Sequence, residues 1–255
     1  MLLLTTATGA PARADAVAVF GSNSIVTYLN TLPGITAQLV TEANILSASF
    51  QTDYQAFVYT RNGTSFGTPG LSAAAADVVR NYVGADGNVV LFNGDFADIL
   101  PGHAPTAALF ANAVGFATGG VRRGFIGEFN GAAAGLTANG NGIVPLGFIP
   151  GSASSLTGGP ADFAINLDPA GVGHAVTAGV TFPIPNPGGL EFGSTYSGVD
   201  QSFVLARYTN GNPAILARGA GVAATPEPGS LAFFSAAGGV LFVLRRRRSQ
   251  VESHS

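Results

Sequence analysis

Three stretches of the chain carry side chains that could do chemistry. Asp95 and Asp98 stand in NGDFADIL, directly after the apolar run Val89-Val90-Leu91-Phe92, and His103 follows in PGHAP. A strand end is where doubly wound sheets place ligands. Asp95 with His103 would make an acid–base pair, and either acid could bind a cation. The plainer roles are a helix cap, a solvated loop acid and a loop histidine. His174 stands in VGHAVT, six residues beyond Asp168, and the two together could form a base or metal site. Two histidines among scattered acids do not make a spaced metal signature, so neither a metal nor a cofactor is expected. Arg61 in TRNG and the pair Arg122-Arg123 could hold a carboxylate or a sugar acid, because a guanidinium is a planar fork of donors. They could equally pair with neighbouring acids.

Missing residue types narrow the chemistry further. The 255 residues contain no Cys, and all eleven basic residues are Arg. Cysteine nucleophiles, thiolate metal sites, disulfides, Schiff bases and the P-loop lysine are therefore excluded. No Gly-x-Ser-x-Gly elbow is present, and the Gly21-Ser22-Asn23-Ser24 turn is too poor in glycine for a dinucleotide fingerprint. Between residues 17 and 225 six arginines face eleven acids, a net of −5. Such a body repels phosphate backbones, so nucleic acid is not expected as a partner.

The elements that must position these residues are legible in the first half. Hydrophobic residues make up 47% and charged residues 10%, enough apolar material for a core. Glycine and proline, 36 and 15 residues, point to long loops. Val17–Phe20, Thr36–Thr41, Ala56–Thr60 and Val89–Phe92 are expected as strands. Ile25–Leu32, Ser72–Val83 and Pro105–Phe116 are expected as helices. Strands alternating with helices predict a parallel sheet with helices on both faces, and near-continuous apolar strands fit burial on both sides. From Gly119 to Gly159 the chain is rich in Gly, Ala, Asn and Ser, with short apolar pieces such as Gly124–Gly127. Ser202–Tyr208 and Pro213–Arg218 are expected as strands joined by the hairpin turn Thr209-Asn210-Gly211-Asn212. An all-β sandwich is the alternative that the glycine-rich second half would support.

The segments DYQAFVYTRNG, LSAAAADVVRNYV, GNVVLFNGD, GHAVTAGV and RYTNGNPAILARGAG together resemble ThuA-like and class I glutamine-amidotransferase-like domains. That resemblance covers most of residues 17–221. It implies a flavodoxin-like α/β fold with His174 lining a cleft and Asp95 near it, the setting of a carbohydrate-processing enzyme. The chain departs from the family where it matters most. An amidotransferase needs a cysteine nucleophile after a strand, and Asn93-Gly94-Asp95 occupies that turn.

The two ends read differently from the body, residues 17–224. Residues 1–16 carry Leu2-Leu3-Leu4 and then Ala14-Asp15-Ala16, a small-x-small site. A signal peptide shortened at its start is expected there; an unstructured terminus is the alternative. Residues 225–250 hold Pro226-Glu227-Pro228, the uncharged run Leu231–Leu244 and Arg245-Arg246-Arg247-Arg248. With Gly229 and Ser230 the apolar helix is 16 residues long, short of the ~20 a bilayer span needs. The arginines would stay on the cytoplasmic side. Each proline favours extended backbone before it. In this order the three parts resemble the PEP-CTERM sorting signal of Gram-negative bacteria. The resemblance implies export, a transient inner-membrane intermediate and processing by an exosortase-type enzyme. It further implies a final place at the cell surface or outside the cell, with extracellular polysaccharide and biofilm. A non-enzymatic binding or structural role is the leading expectation for the body.

Overall fold

The computed structural model describes residues 15–60, 71–94, 96, 100–128, 147–155, 164–185 and 194–219. The chain divides into two units, residues 1–221 and 222–255, and every described residue belongs to the first. The sorting motif, its apolar segment and residues 1–14 lie outside the described residues. Among the described residues no helix is long and apolar enough to cross a membrane.

Unit one is a mixed α/β structure. Strands β1 (Asp15–Phe20), β2 (Ile35–Leu39), β3 (Ala56–Tyr59), β4 (Val89–Phe92) and β5 (Gly124–Glu128) run parallel. Helices α1 (Asn23–Leu29), α2 (Glu42–Ile45), α3 (Phe50–Asp53), α4 (Ala73–Val83) and α5 (Ala104–Thr118) lie between them. These intervening helices rule out the all-β sandwich. Later strands are β6 (Ser152–Ser155), β7 (Ile165–Leu167), β8 (Ser194–Ser197), β9 (Val204–Tyr208) and β10 (Pro213–Arg218). The main sheet has eight strands in the order β2-β1-β3-β5-β4-β10-β9-β7, and β6 pairs with β8 separately. β10, β9 and β7 join antiparallel.

Period-two alternation assigns each strand's side chains to two cores. Val17, Val19, Ala56, Val58, Val90 and Phe92 pack with α1 and α5 on one face. Ala18, Phe57, Tyr59, Val89 and Leu91 pack with α2, α3 and α4 on the other. Both faces are therefore dry, which is why AFVY and VVLF are apolar at every position. Local chemistry sets the helix starts. Ser22 accepts from the Ile25 N–H and Ser72 from the Ala75 N–H, each closing the first turn. Thr41 and Asn44 form a reciprocal capping box for α2.

Two features differ from the sequence reading. GFIGE was expected only as a short apolar piece, yet β5 sits between β3 and β4, buried throughout. Its glycine is the reason. A Cβ on Gly124 would lie 2.2 Å from the Ala117 carbonyl oxygen, so only glycine lets the last turn of α5 rest on the strand. The same insertion changes the topology. A flavodoxin-type sheet runs 2-1-3-4-5; here the five parallel strands run 2-1-3-5-4.

β1 also begins two residues earlier than expected. Asp15 and Ala16 pair with Ile35 and Thr36, and the Ala16 carbonyl accepts from the Gln55 N–H at 2.7 Å. Cleavage after Ala16 would remove both residues from this ladder.

Candidate functional site

The carboxyl edge of the parallel strands gathers buried polar residues. β1 feeds α1 on one face and β3 feeds α4 on the other, so their connections diverge. β4 feeds α5, on the opposite face to α4, leaving the end of β5 between diverging connections. This is the switch-point geometry at which open sheets bind ligands. Glu128 ends β5 there, fully buried and in register with Phe92. Thr60 and Asn93, the residues after β3 and β4, are also buried, as is Ser22 after β1.

The antiparallel strands close this group from the side. The Tyr208 hydroxyl donates to the Asn93 carbonyl. The Asn93 amide donates to the Pro213 carbonyl at 2.7 Å, and its backbone N–H to the Ala214 carbonyl at 2.9 Å. Asn212 accepts from the Tyr196 N–H at 3.1 Å. Burial pushes the phenols of Tyr208 and Tyr196 well above the ordinary tyrosine range. Tyr196 and Glu128 both lie near enough to Tyr208 to push it further. Both phenols therefore stay protonated at neutral pH. Tyr208 acts as a hydrogen-bond donor, not a base. The buried Glu128 carboxyl near the Tyr208 phenol gives this edge a polar centre able to orient a polar ligand.

The candidates read from the sequence are dispersed. Asp95, Asp98 and Arg61 lie outside the described residues. His103 occupies the N-cap position of α5, its Nδ1 2.8 Å from the Thr106 hydroxyl within the same first turn. His174 lies at the other end of α5, its ring centroid 5.1 Å from that of Phe116. Phe116 lies thirteen positions along the helix from His103, about 20 Å of rise. The two histidines thus do not share a site. Asp168 does not serve His174; its carboxylate takes the Arg207 Nε–H at 2.6 Å in an ion pair. Among the described residues no group of three or more His, Asp or Glu could hold a metal ion.

The sequence reading passed over Glu128 altogether. Its one signal is an acid closing the apolar Phe125-Ile126 pair, and the flanking glycines masked the strand.

His174 has a structural role with a pH signature. Its Nδ1 accepts from the Val176 N–H at 3.2 Å, which starts a 3-10 turn over residues 175–177. Burial holds its pKa below the usual histidine value. The unfolded chain therefore binds this proton more readily than the native one, and stability falls as pH drops through about 6.5. Comparing urea midpoints of the parent and His174→Asn between pH 7.5 and 5.0 checks this. The parent should lose more stability over that range. Identical pH dependence would show that His174 is not held neutral.

Neither the family models, the curated proteins nor the solved structures compared with this chain contain a match.

Proposed function

We propose that this chain is an exported PEP-CTERM protein, delivered by its C-terminal tail and processed by an exosortase-type membrane enzyme. Its body then works at the cell surface or in the extracellular polysaccharide matrix as a binding or structural component. The observation that carries the reading is the tail itself. Pro226-Glu227-Pro228, an uncharged apolar run and Arg245 to Arg248 follow in the order an extended cleavage region, a brief membrane hold and a topological stop require. A binding role for the body is supported by the separation of His103 from His174 along α5 and by the engagement of Asp168 with Arg207.

A ThuA-like, flavodoxin-type body is part of this proposal, with the exchanged order of the fourth and fifth parallel strands as its own variation. A second reading keeps the body as a carbohydrate-processing enzyme. It is favoured by buried Glu128 near the Tyr208 phenol at the ligand edge, where Asn93 is also buried. In that reading Glu128, not His174, supplies the acid.

The test follows the protein through a Gram-negative host that has an exosortase. The full chain is expected at the surface or in the matrix, with mass spectrometry placing its new C-terminus near Pro226–Pro228. A chain lacking residues 225–255 should show no C-terminal processing and miss that destination. Equal destination with an unprocessed tail would overturn the sorting proposal. Hydrolysis of a polysaccharide, lost in Glu128→Gln, would favour the enzyme over the binding component.

A further inference from the structure

The opposite, amino-terminal edge of the parallel sheet holds a different feature. A cavity of about 380 Å³ is lined by Gln51, Gln55, Asn81, Tyr82, Arg122 and Arg123, with the fully exposed Val121 at its rim. That volume falls within the usual range for small-molecule sites. Strand register builds it. β3 and β5 are neighbours with Ala56 opposite Gly124, and the Gly124 N–H donates to the Gln55 carbonyl at 3.0 Å. The residues leading into the two strands are thereby brought side by side, and the Arg123 guanidinium donates to the Gln55 side-chain oxygen. The last turn of α4 adds Asn81 and Tyr82, and α3 adds Gln51.

Charge is the unusual part. Among the described residues no carboxylate lines the cavity. The ion pairs among the described residues, Arg80 with Asp77 and Arg207 with Asp168, lie elsewhere. In a body where acids outnumber arginines, both Arg122 and Arg123 line this cavity, and the other polar side chains lining it among the described residues are amides and a phenol. Two guanidinium groups on one cavity give it a positive potential, which favours an anion. The Tyr82 hydroxyl is buried and has no hydrogen-bond partner among the described residues.

We propose that this cavity binds the carboxylate of an acidic sugar, a uronate-type unit. Arg122 and Arg123 take the carboxylate, and Gln51 and Asn81 take ring hydroxyls. A guanidinium fork suits carboxylate and phosphate alike; the surroundings favour the carboxylate. The cavity abuts the C-terminal end of α4, where the helix carries partial negative charge, so a dianionic phosphate is penalised more than a monoanion. Primary amides, each both donor and acceptor, match neighbouring hydroxyls of a sugar ring. The site is independent of the carboxyl-edge cluster and of the export proposal.

Calorimetric titration of the full chain with a galacturonate trisaccharide tests this, with the neutral galactose trisaccharide and glucose 6-phosphate as parallel ligands. Binding of the acidic trisaccharide is expected, weakening as salt is raised. The double variant R122A/R123A should weaken it at least about tenfold. Arg122 is exposed, so Arg122→Gln serves as the variant that keeps the fold. It should still weaken binding several-fold. Tyr82→Phe should cost less than the double variant. No binding of the acidic trisaccharide, equal binding of the neutral one, tighter binding of the sugar phosphate, or unchanged affinity in Arg122→Gln would each overturn the assignment.

Discussion

Gly21→Val is expected to leave no folded protein, with the purified chain lacking a cooperative urea transition. Gly21 follows β1 with φ +105°, a region that L side chains rarely adopt. A Cβ there would lie 1.7 Å from the Thr60 carbonyl oxygen and 2.9 Å from its carbon. Moving the two segments apart is not a small adjustment, because the Thr60 N–H donates to the Phe20 carbonyl at 2.9 Å. Relief of the clash breaks the β1–β3 pairing at the switch point. Even Gly21→Ala should cost about 3 kcal/mol or more, from strain and overpacking together. Against a usual total of about 5–15 kcal/mol this is large. Gly34 provides the control, with φ +74° and nothing within 4 Å of its added Cβ. Gly34→Ala should show backbone strain alone, about 1–2 kcal/mol. Equal losses in the two alanine variants would show that the contact with Thr60 does not matter.

Phe92→Ala carries the next largest expected loss, about 3–5 kcal/mol. Phe92 is fully buried in β4. Its ring centroid lies 4.9 Å from both Phe110, stacked at 17°, and Phe96. Truncation removes the apolar contact and the aromatic pairings, which add about 0.5–1.5 kcal/mol each. It also opens a void under α5. Because Phe92 precedes Asn93 and faces Glu128 in register, the loss reaches the carboxyl-edge cluster. Urea midpoints give the stability change, and amide exchange at Asn93 should quicken with it. Phe92→Leu should lose about 1.5 kcal/mol or less. A loss below about 1 kcal/mol in Phe92→Ala would show that this face of the sheet is not the core.

Elements whose signal is local were legible. VVLF and AFVY are apolar without interruption because both sheet faces are covered. SAAAADVVRNYV shows its helix through Ser72 and the spacing of Ala75, Val78, Val79, Tyr82 and Val83, all buried except the partly buried Val78. The TNGN turn closes its hairpin as expected, with Gly211 at φ +87° and the Tyr208 N–H donating to the Asn212 carbonyl. Elements whose signal depends on a distant neighbour were not. GFIGE carries two glycines, which argue against a strand by propensity. What outweighs propensity is pairing along both edges with the distant strands β3 and β4, together with close packing against α5.

The candidate sites divide in the same way. His103 and His174 drew notice as rare titratable residues, yet each engages its own turn: His103 beside Thr106 at the start of α5, His174 capping the 175–177 turn. Glu128, Thr60, Asn93 and Tyr208 are separated by up to 148 positions in the chain, and no spacing links them. Arg122-Arg123 was visible as a pair, but nothing local says that it faces Gln55 and Asn81 instead of a carboxylate.

The sequence alone determined the missing chemistries, since absent Cys and Lys cannot be supplied by folding, and it set the alternation of strand and helix through periods of 2 and 3.6. It also spells out the tail on which the export proposal rests. Only the tertiary structure decided the order 2-1-3-5-4, the antiparallel strands that close the carboxyl edge and the pairing of Arg123 with Gln55. Each of these follows from register between strands far apart in the chain. Such register is selected by burial on both faces and by close approaches that only glycine permits.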